Sequence, residues 1–366
     1  MPGFLERLFP SPTLARYTAR LFLLRTLAFL VGLVLILQTL DLLGESGRIL
    51  AVQGNGEGEL WRYVQLRSPQ LVALFLPFSV LLAALLTFLT LNQNSEIVIF
   101  RASGLSAHQI LAPMIVAGLG VAALNLAFNE GVLTRARAEF DVWKAAGYQP
   151  VPEGREASAV WVRSGKDLMH AEGVFGTGSQ TRLEDISIYE RADDRLVRVV
   201  RAASATPSTE GWQLSRVRVL DVASGTETTH LKLDFPSPAA PEQFTTQQVR
   251  GDTTPLWRLV GAIRALDSAG KPTDGLRASL HHKIAGPMSA ALMPLLAAVA
   301  GFGLARSGKL LVRSIIGLAL GFAFFVADNF AMAMAEFGNL PPVAAAWAPF
   351  LLFFLIGESV LLRSEE

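Results

Sequence analysis

Few residues of this chain have the types and spacing that catalysis or nucleotide binding would need. The segment GLARSGKL, residues 303–310, fits the G-x-x-x-x-G-K pattern of a phosphate-binding loop. Such a loop also needs a hydroxyl residue after the lysine to hold Mg²⁺, and it follows a β-strand. Here Leu310 stands at the hydroxyl position, and apolar runs flank the segment on both sides. We therefore interpret it as a tight, positively charged turn.

The sequence also lacks the patterns of hydrolytic and metal chemistry. There is no G-x-S-x-G nucleophile motif and no H-E-x-x-H metal motif. The chain has no cysteine, which excludes disulfides, cysteine–zinc sites and cysteine nucleophiles. His170, His230 and the pair His281–His282 lack the spacing and the partners of metal ligands. We predict no catalytic residue, no metal site and no cofactor in this chain.

Acidic residues near or inside apolar runs are better candidates for a function, because burying a charge in lipid costs several kcal/mol. Asp328 lies beside Asn329 in the apolar segment AFFVADNFAMAM. Asp41, Glu130 and Glu358 lie nearer the ends of such runs. Each of the four acidic residues could serve as a polar contact between helices. For Asp328 and Asn329, a direct role in transport stays open beside that structural one.

The elements that would position these residues are those of a membrane protein. The 366 residues are 51% hydrophobic and only 17% charged, with a mean hydropathy of +0.39, which is high for a globular protein. The net charge of +1 gives no electrostatic footprint for nucleic acid. A hydrocarbon core of about 30 Å needs about 20 apolar residues per helix. The runs that are long enough are 21–43, 69–91, 110–129, 284–304, 310–337 and 343–362.

Positive charges in the short loops predict the orientation in the membrane. The loop with Arg101 and the loop with Arg306 and Lys309 fall on one side, together with the arginine-rich N-terminal segment. Lysine and arginine mark the cytoplasmic side, so we predict that both termini are cytoplasmic. The run 21–43 is too long for the apolar part of a signal peptide, and no A-x-A-like site follows it. We expect it to remain as a spanning helix.

A long polar stretch separates three predicted spans from the other three, and we expect it to form a periplasmic domain. It contains short segments of alternating polarity, among them THLKLDF, AVWVRS and EDISIYE, separated by turn signals. Such spacing favours a sandwich, a jelly roll or a partly open barrel. The predicted parts of the chain are 1–129, 130–283 and 284–366.

Two segments of this domain carry further structural signals. In THLKLDF, the side chains of Leu231, Leu233 and Phe235 share one face, because side chains alternate along a strand. The later segment TPLWRLVGAIRALDSAGK has the periodicity of a helix that ends near Gly270. We expect that helix to lead the chain back to the membrane.

The loop QNSEIVIFRASGLSAHQIL, residues 93–111, carries the signals of a short helix followed by a turn. Asn94 is the expected N-cap, and Glu96 lies in the first turn, where the helix dipole favours an acid. Gly104 fits the residue after a helix end, and Ser106 with Gln109 fits a capping box that opens the next helix.

This loop helix is unusually apolar for a cytoplasmic loop. Ile97, Val98, Ile99 and Phe100 cannot all face the membrane helices, because they are consecutive and point in different directions around a helix. One interpretation is that a second protein covers the remaining apolar face. The other is that the helix packs wholly on its own bundle.

The segment NSEIVIFRASGLSAHQIL resembles the cytoplasmic coupling helix of the LptF/LptG permeases, the membrane subunits of the lipopolysaccharide-export ABC transporter. The likeness extends over almost the whole chain. The other segments that carry it are LARYTARLFL, DISIYE, VRAASATPSTEGWQLSRVRV, GLALGFAFFVADNFA and GNLPP. EDISIYE and the last two are more similar to LptG than to LptF.

This resemblance implies an α-helical membrane protein of about six transmembrane helices, with a periplasmic β-jellyroll-like domain between helices 3 and 4. It implies a non-enzymatic permease subunit that extracts lipopolysaccharide from the bacterial inner membrane and passes it to a periplasmic bridge. The expected partners are an LptF-like permease, an LptB-like ATPase dimer that binds ATP and Mg²⁺, an LptC-like single-span protein and lipopolysaccharide itself.

The resemblance also implies roles for particular residues. A coupling helix at 94–104 would contact the ATPase. The residues expected to do so are Glu96, Ile97, Phe100, Arg101 and Gly104. LptG-like chains often carry lysines at the outer end of the first span, whereas this chain has ILQTLDLLGES there. Other residues must therefore contact the lipid. The candidates are Arg48, Arg135 and Arg137 for the acidic head, with Arg137 matching the family best, and Leu231, Leu233 and Phe235 for the acyl chains.

Two other classes of protein fit the sequence less well. A different ABC-linked permease, such as a lipoprotein-release or efflux subunit, usually places its large domain after the first span and not after the third. A membrane-embedded enzyme acting on lipid would need a nucleophile or an acid–base pair at the bilayer surface, and the sequence offers none.

Overall fold

The computed structural model of the protein describes residues 11–150, 160–175, 178–192, 195–208, 211–246, 250–268, 270–301 and 310–363. By its packing the chain divides into two compact units, which we call the helical unit and the β unit. The helical unit is formed by residues 1–47, 57–137 and 251–366, and the β unit by residues 48–56 and 138–250. Residues 130–137 and 251–283, which the sequence pattern grouped with the insertion, thus pack with the helical unit.

The helices form where the apolar runs were predicted, and most extend beyond them because the charged residues at their ends continue the helix outside the lipid. In the described residues and in chain order, the helices are α1 (Pro12–Leu50), α2 (Glu57–Gln93), α3 (Glu96–Ala102), α4 (Ala107–Phe128), α5 (Thr134–Ala145), α6 (Pro241–Thr246), α7 (Leu256–Ser268), α8 (Asp274–Gly301), α9 (Leu310–Glu336) and α10 (Pro342–Arg363).

Five of the described helical stretches are long and apolar enough to cross a membrane. They are α1, α2, the continuous stretch Ala107–Ala145, the part Ser314–Glu336 of α9, and α10. The predicted run 284–304 falls mostly in α8, which packs against α2, α4, α9 and α10. Its Leu292, Met293 and Leu296 are buried in the core of the helical unit. Of the segment 303–310, which we interpret as a turn from its sequence, residues 303–309 lie outside the described residues.

The third predicted span does not end at residue 129 but changes its helical geometry there. A five-residue π-helical turn, Asn129–Leu133, joins α4 to α5, so that the first part of the predicted insertion is helical. Close packing holds α4 against α8: a Cβ on Gly118 would lie 2.7 Å from the carbonyl oxygen of Ala290. Small residues at such a contact let two helix backbones approach each other within the membrane.

The β unit contains a single described sheet of six antiparallel strands that pair in chain order. The fold class, membrane helices with an inserted β domain, is thereby confirmed. The strands are β1 (Val160–Ser164), β2 (Asp167–Phe175), β3 (Arg182–Ala192), β4 (Arg195–Ser208), β5 (Gly211–Asp221) and β6 (Glu227–Pro236).

One face of this sheet is buried and the other is exposed. The buried face has its own hydrophobic core, with Met169, Ile188 and Leu214 fully inside. At one end, Trp212 donates a hydrogen bond from Nε1 to a backbone carbonyl at 2.9 Å, and its ring meets Phe244 of α6 edge-on. The alternation of apolar and polar residues along the strands therefore gives the sheet one buried apolar face and one solvent-exposed face.

Candidate functional site

The loop helix α3 forms as predicted, but its start differs. Ser95, and not Asn94, is the N-cap; it has left-handed backbone geometry (φ 59°) and makes no side-chain capping bond. The reason is that the backbone N–H of Asn94 still donates to Thr90 at the end of α2. Asn94 instead donates from Nδ2 to Oε1 of Glu96 at 3.1 Å.

The end of α3 and the start of α4 confirm the predicted turn. Gly104 has φ +84°, which a side chain would strain, and the N–H of Leu105 donates back to the carbonyl of Phe100 at 3.1 Å. Ser106 and Gln109 form the capping box, with bonds of 3.2 and 3.0 Å. The glycine turn and the capping box therefore set where α3 ends and where α4 begins.

The apolar residues of α3 divide between two faces. Ile97 is buried in the core of the helical unit, and Phe100 packs against that core. Val98 and Ile99 are 56% and 58% exposed. Glu96 accepts a hydrogen bond from the hydroxyl of Tyr17 in α1 at 3.4 Å. The described part of the chain covers one apolar face of α3 and leaves Val98 and Ile99 exposed, and Arg101 is exposed as well.

A cavity of about 840 Å³ lies inside the helical unit, between α2, α4, α8 and α9. This volume falls in the range of ordinary ligand pockets. Its walls are mostly apolar, and they include Leu74, Phe78, Phe322 and Val326. The polar residues that line it are Asn125, Asn129, Thr134, Arg137, Asp252, His282, Lys283, Ser289, Asp328 and Asn329.

Two ion pairs lie at the polar side of this cavity. Arg137 contacts Asp252 at 2.9 Å, and both side chains are about one-third exposed (35% and 37%). Lys283 in α8 contacts Oε1 of Glu130 at 2.6 Å, and this pair is much more buried, at 11% and 16%. Arg137 thus lies where the sequence placed a lipid contact, but its charge already has a partner.

Glu130 joins three elements of the helical unit. Its Oε1 binds Lys283 of α8, and its Oε2 accepts from the backbone N–H of Leu256, the first residue of α7, at 2.7 Å. Glu130 itself lies in the π turn. Because an orphan N–H at a helix start favours an acidic partner, Glu130 both caps α7 and neutralises Lys283.

Asp328 lies in the cavity wall and contacts another helix. Its Oδ2 is 2.9 Å from Nε2 of His282, so the pair links α9 to α8. Asn329 donates from Nδ2 to the carbonyl of Phe325 in its own helix. Both side chains line the cavity. The helix contact predicted for Asp328 is confirmed, and its place in the cavity wall leaves a transport role open.

Two other acidic residues serve as contacts between helices, as predicted. Asp41 of α1 accepts hydrogen bonds from Arg67 at 2.6 Å and from the hydroxyl of Tyr63 at 2.9 Å, both in α2. Glu358 of α10 lies 2.7 Å from Nε2 of His108 in α4. These contacts offset the cost of placing carboxylates near lipid.

The turn that leads from α7 into α8 is held by a polar cluster. Thr273 and Arg277 both hydrogen-bond to Asp267, and the Thr273 hydroxyl contributes most to holding the pKa of Asp267 below its usual value. Gly270, at φ +66°, closes the helix where it was predicted to end. This turn fixes where α8, with His282 and Lys283, begins.

The remaining predicted lipid residues lie elsewhere. Arg135 is exposed and is not among the residues that line the cavity, and Arg48 is exposed at the end of α1, in the β unit. In β6, Phe235 is 9% exposed, Leu233 is partly buried and Leu231 is 85% exposed. The exposure of the apolar face of β6 therefore decreases from Leu231 to Phe235.

The β unit has a smaller cavity of about 320 Å³. Its apolar lining residues are Val200, Val219, Leu233, Phe235 and Pro236, and its charged ones are Asp167, Glu190, Arg198 and Asp234. Leu233 pairs with Leu214 and Phe235 with Trp212 of β5. Two of the three predicted β6 residues thus line a hollow whose wall is part apolar and part charged.

The sequence did not identify His282, Lys283 or Asp252 as members of a site. A signal was present for Lys283, since a lysine directly before a predicted span needs a partner or water. Its partner Glu130 is 153 residues away, so only the fold brings them together. Among the described residues, no three His, Asp or Glu side chains are placed to hold a metal ion.

Comparisons with known proteins give matches that cover nearly the full length of this chain. Residues 16–363 match the family described as lipopolysaccharide export system permease LptF/LptG. The lipopolysaccharide export system permease protein LptG of Escherichia coli strain K12 is 27% identical over 363 residues, which cover 97% of this chain and 99% of that protein. The protein of the same name from Haemophilus influenzae is 24% identical over 374 residues, which cover 97% and 99%.

Proposed function

Because the chain belongs to the LptF/LptG family of lipopolysaccharide export system permeases, we propose that it is an LptG-type permease subunit that moves lipopolysaccharide out of the inner membrane. The family match over residues 16–363 carries this proposal. The chain binds the lipid, and a partner ATPase supplies the energy by hydrolysing ATP. The partners are an LptF-like permease, an LptB-like ATPase dimer and an LptC-like single-span protein.

The physical demands of lipid export suit the cavity of the helical unit and the apolar face of β6. Each methylene of an acyl chain moved into water costs about 0.8 kcal/mol, so a multi-acyl lipid must pass from the bilayer into apolar surroundings. The apolar walls of the helical-unit cavity can hold acyl chains, and the cations beside them can attract an acidic head. In the β unit, the apolar face of β6, which is exposed at Leu231, offers a further apolar surface.

Arg137 is the cation that we expect to meet the lipid phosphate, in competition with Asp252. Arg137→Glu should lower the amount of retained lipopolysaccharide about three- to tenfold, since charge-assisted hydrogen bonds are strong and partial exposure weakens them. Asp252→Asn should raise retention, because it frees Arg137. The measurement is the lipopolysaccharide bound to the purified complex and its ATP-dependent release from proteoliposomes.

Opposite effects of Arg137→Glu and Asp252→Asn on lipid retention would distinguish a lipid-binding role of Arg137 from a purely structural role of its ion pair. If the pair only held the fold, both changes would lower assembly and retention alike. Arg135→Glu is the matched control, because Arg135 is exposed and does not line the cavity; its effect should be smaller. Retention of lipopolysaccharide at the wild-type amount in Arg137→Glu would contradict the role of Arg137.

A photo-crosslinker in β6 tests whether lipid crosses the β unit. Leu231 and Lys232 are both exposed neighbours, but they belong to opposite faces of the strand. A crosslinker at Leu231 should capture lipopolysaccharide in an ATP-dependent way, and one at Lys232 should capture much less. Equal capture from both positions would mean that the sheet is only a scaffold.

The proposed orientation places α3 in the cytoplasm and the β unit in the periplasm. Single cysteines can be introduced without a background, because the chain has none. Ser103→Cys, exposed at the end of α3, should be shielded from an impermeant thiol reagent added outside the inner membrane, and the exposed Gln180→Cys in the β unit should react. Labelling of Ser103→Cys from outside would reverse the proposed topology.

A further inference from the structure

Within the part of the chain that the structure describes, two buried amide oxygens of the helical unit have no hydrogen-bond partner. They are Oδ1 of Asn125 in α4 and Oδ1 of Asn129, the first residue of the π turn. Asn125 as a whole residue is only 6% exposed. A buried acceptor that stays unpaired loses its hydration without compensation, and such atoms are rare in native proteins.

Both side chains line the 840 Å³ cavity, on one face of the same helical stretch. They are four residues apart, which places them one above the other. The backbone N–H of Asn129 is shared between the carbonyls of Asn125 and Leu126, where the π turn begins. Single π turns inside helices often mark functional sites.

The surroundings of these oxygens indicate the kind of group they would bind. The cavity wall is largely apolar, with Pro77, Phe78 and Phe324 among its members. An acceptor in such a wall favours a ligand that carries an O–H or N–H donor on its apolar part. A lipid with hydroxylated or amide-linked acyl chains has such donors. A glycerophospholipid with plain ester-linked chains has only acceptors at that depth.

We propose that Asn125 and Asn129 form a selectivity site that accepts hydrogen bonds from donors on the acyl chains of the transported lipid and thereby discriminates against bulk phospholipid. The proposal rests on the proposed function, since it assigns the cavity to a lipid. A site with unpaired polar groups rejects an analogue that lacks the matching donor, because the groups then stay unpaired.

The test uses the purified complex of the full chain with its partners, in nanodiscs that contain two synthetic lipids in equal amounts. One lipid has a phosphorylated sugar head with amide-linked hydroxyacyl chains; the other has the same head with plain ester-linked chains. Mass spectrometry gives the ratio of the two retained lipids. Wild-type complex should favour the donor-bearing lipid about tenfold, as one or two hydrogen bonds would give.

Asn125→Leu, a nearly isosteric change, should bring that ratio close to one. Asn129→Leu, at the less buried position, carries the same expectation and is tested alone. Both variants should be at least as stable to heat as wild type, because each removes an unpaired buried oxygen. Thr87→Val is the matched control: Thr87 is fully buried in α2, bonds to Ala83 and does not line the cavity.

An unchanged lipid ratio in both asparagine variants would overturn the selectivity site and would mean that only water satisfies these oxygens. A marked loss of heat stability in both would also overturn it, because the oxygens would then have a structural partner. Failure of the wild-type complex to retain either lipid would contradict the proposed function itself.

Discussion

Replacing Val98 and Ile99 together by aspartate is expected to abolish binding of the partner ATPase while the chain still folds and inserts. Both side chains are more than half exposed, so the change removes little packing within this chain. If they fill a groove on the ATPase, two buried charges should weaken the complex at least about 100-fold, as loss of interface hot spots does. The measurement is the affinity of purified ATPase for the permease in nanodiscs.

Two control variants locate the effect on α3. Phe337→Asp also places a charge on a highly exposed apolar residue, but in the turn after α9, on the side proposed to be periplasmic. It should leave ATPase binding unchanged. Ile97→Asp should instead destabilise the chain itself, because Ile97 lies in the core. Normal binding by the Val98/Ile99 double variant would mean that α3 packs only on its own bundle.

Glu96 is expected to help couple ATP hydrolysis by the partner to lipid transport, together with the apolar contacts of Val98 and Ile99. Glu96→Gln keeps an acceptor for Tyr17 and Asn94 but removes the charge; Glu96→Lys reverses it. If Glu96 only favours the helix dipole, the change costs about 0.3–1 kcal/mol of stability and leaves transport intact. If it anchors the ATPase, lipid released per ATP hydrolysed should fall in the first variant and fall further in the second. Tyr17→Phe controls for loss of the internal hydrogen bond.

Lys283→Met is expected to destabilise the helical unit strongly. It leaves the largely shielded carboxylate of Glu130 without its counter-ion, and breaking a buried pair from one side costs up to about 3–5 kcal/mol. The contact is short and both side chains are well shielded from solvent. The free energy of unfolding of the full chain in detergent measures the effect.

The double variant Glu130→Gln/Lys283→Met should recover part of this loss. It removes both charges, and the glutamine oxygen can still accept from the N–H of Leu256. Arg137→Met is the control at a more exposed ion pair. The pair of Arg137 with Asp252 is about one-third exposed, so losing it should lower the free energy of unfolding much less. Equal stability of Lys283→Met and wild type would show that the ion pair does not stabilise the helical unit.

The sequence by itself determined the elements whose signals are local. Apolar runs of sufficient length predicted the spanning helices, because lipid demands an unbroken helix. Gly104, Ser106 and Gln109 predicted the turn and the helix start after α3, since a positive φ and a capping box involve only neighbouring residues. Alternation along THLKLDF predicted a strand with one apolar face.

Tertiary structure alone decided which of these elements carry the site, because its members meet only through packing. Glu130 pairs with Lys283 across 153 residues, and Asp328 with His282 across 46. No periodicity in the chain encodes such partners. The N-cap moved from Asn94 to Ser95 because α2 had not ended. The third span continued through a π turn into α5, where contacts of Glu130 with α7 and α8 outweigh the polarity that suggested its end.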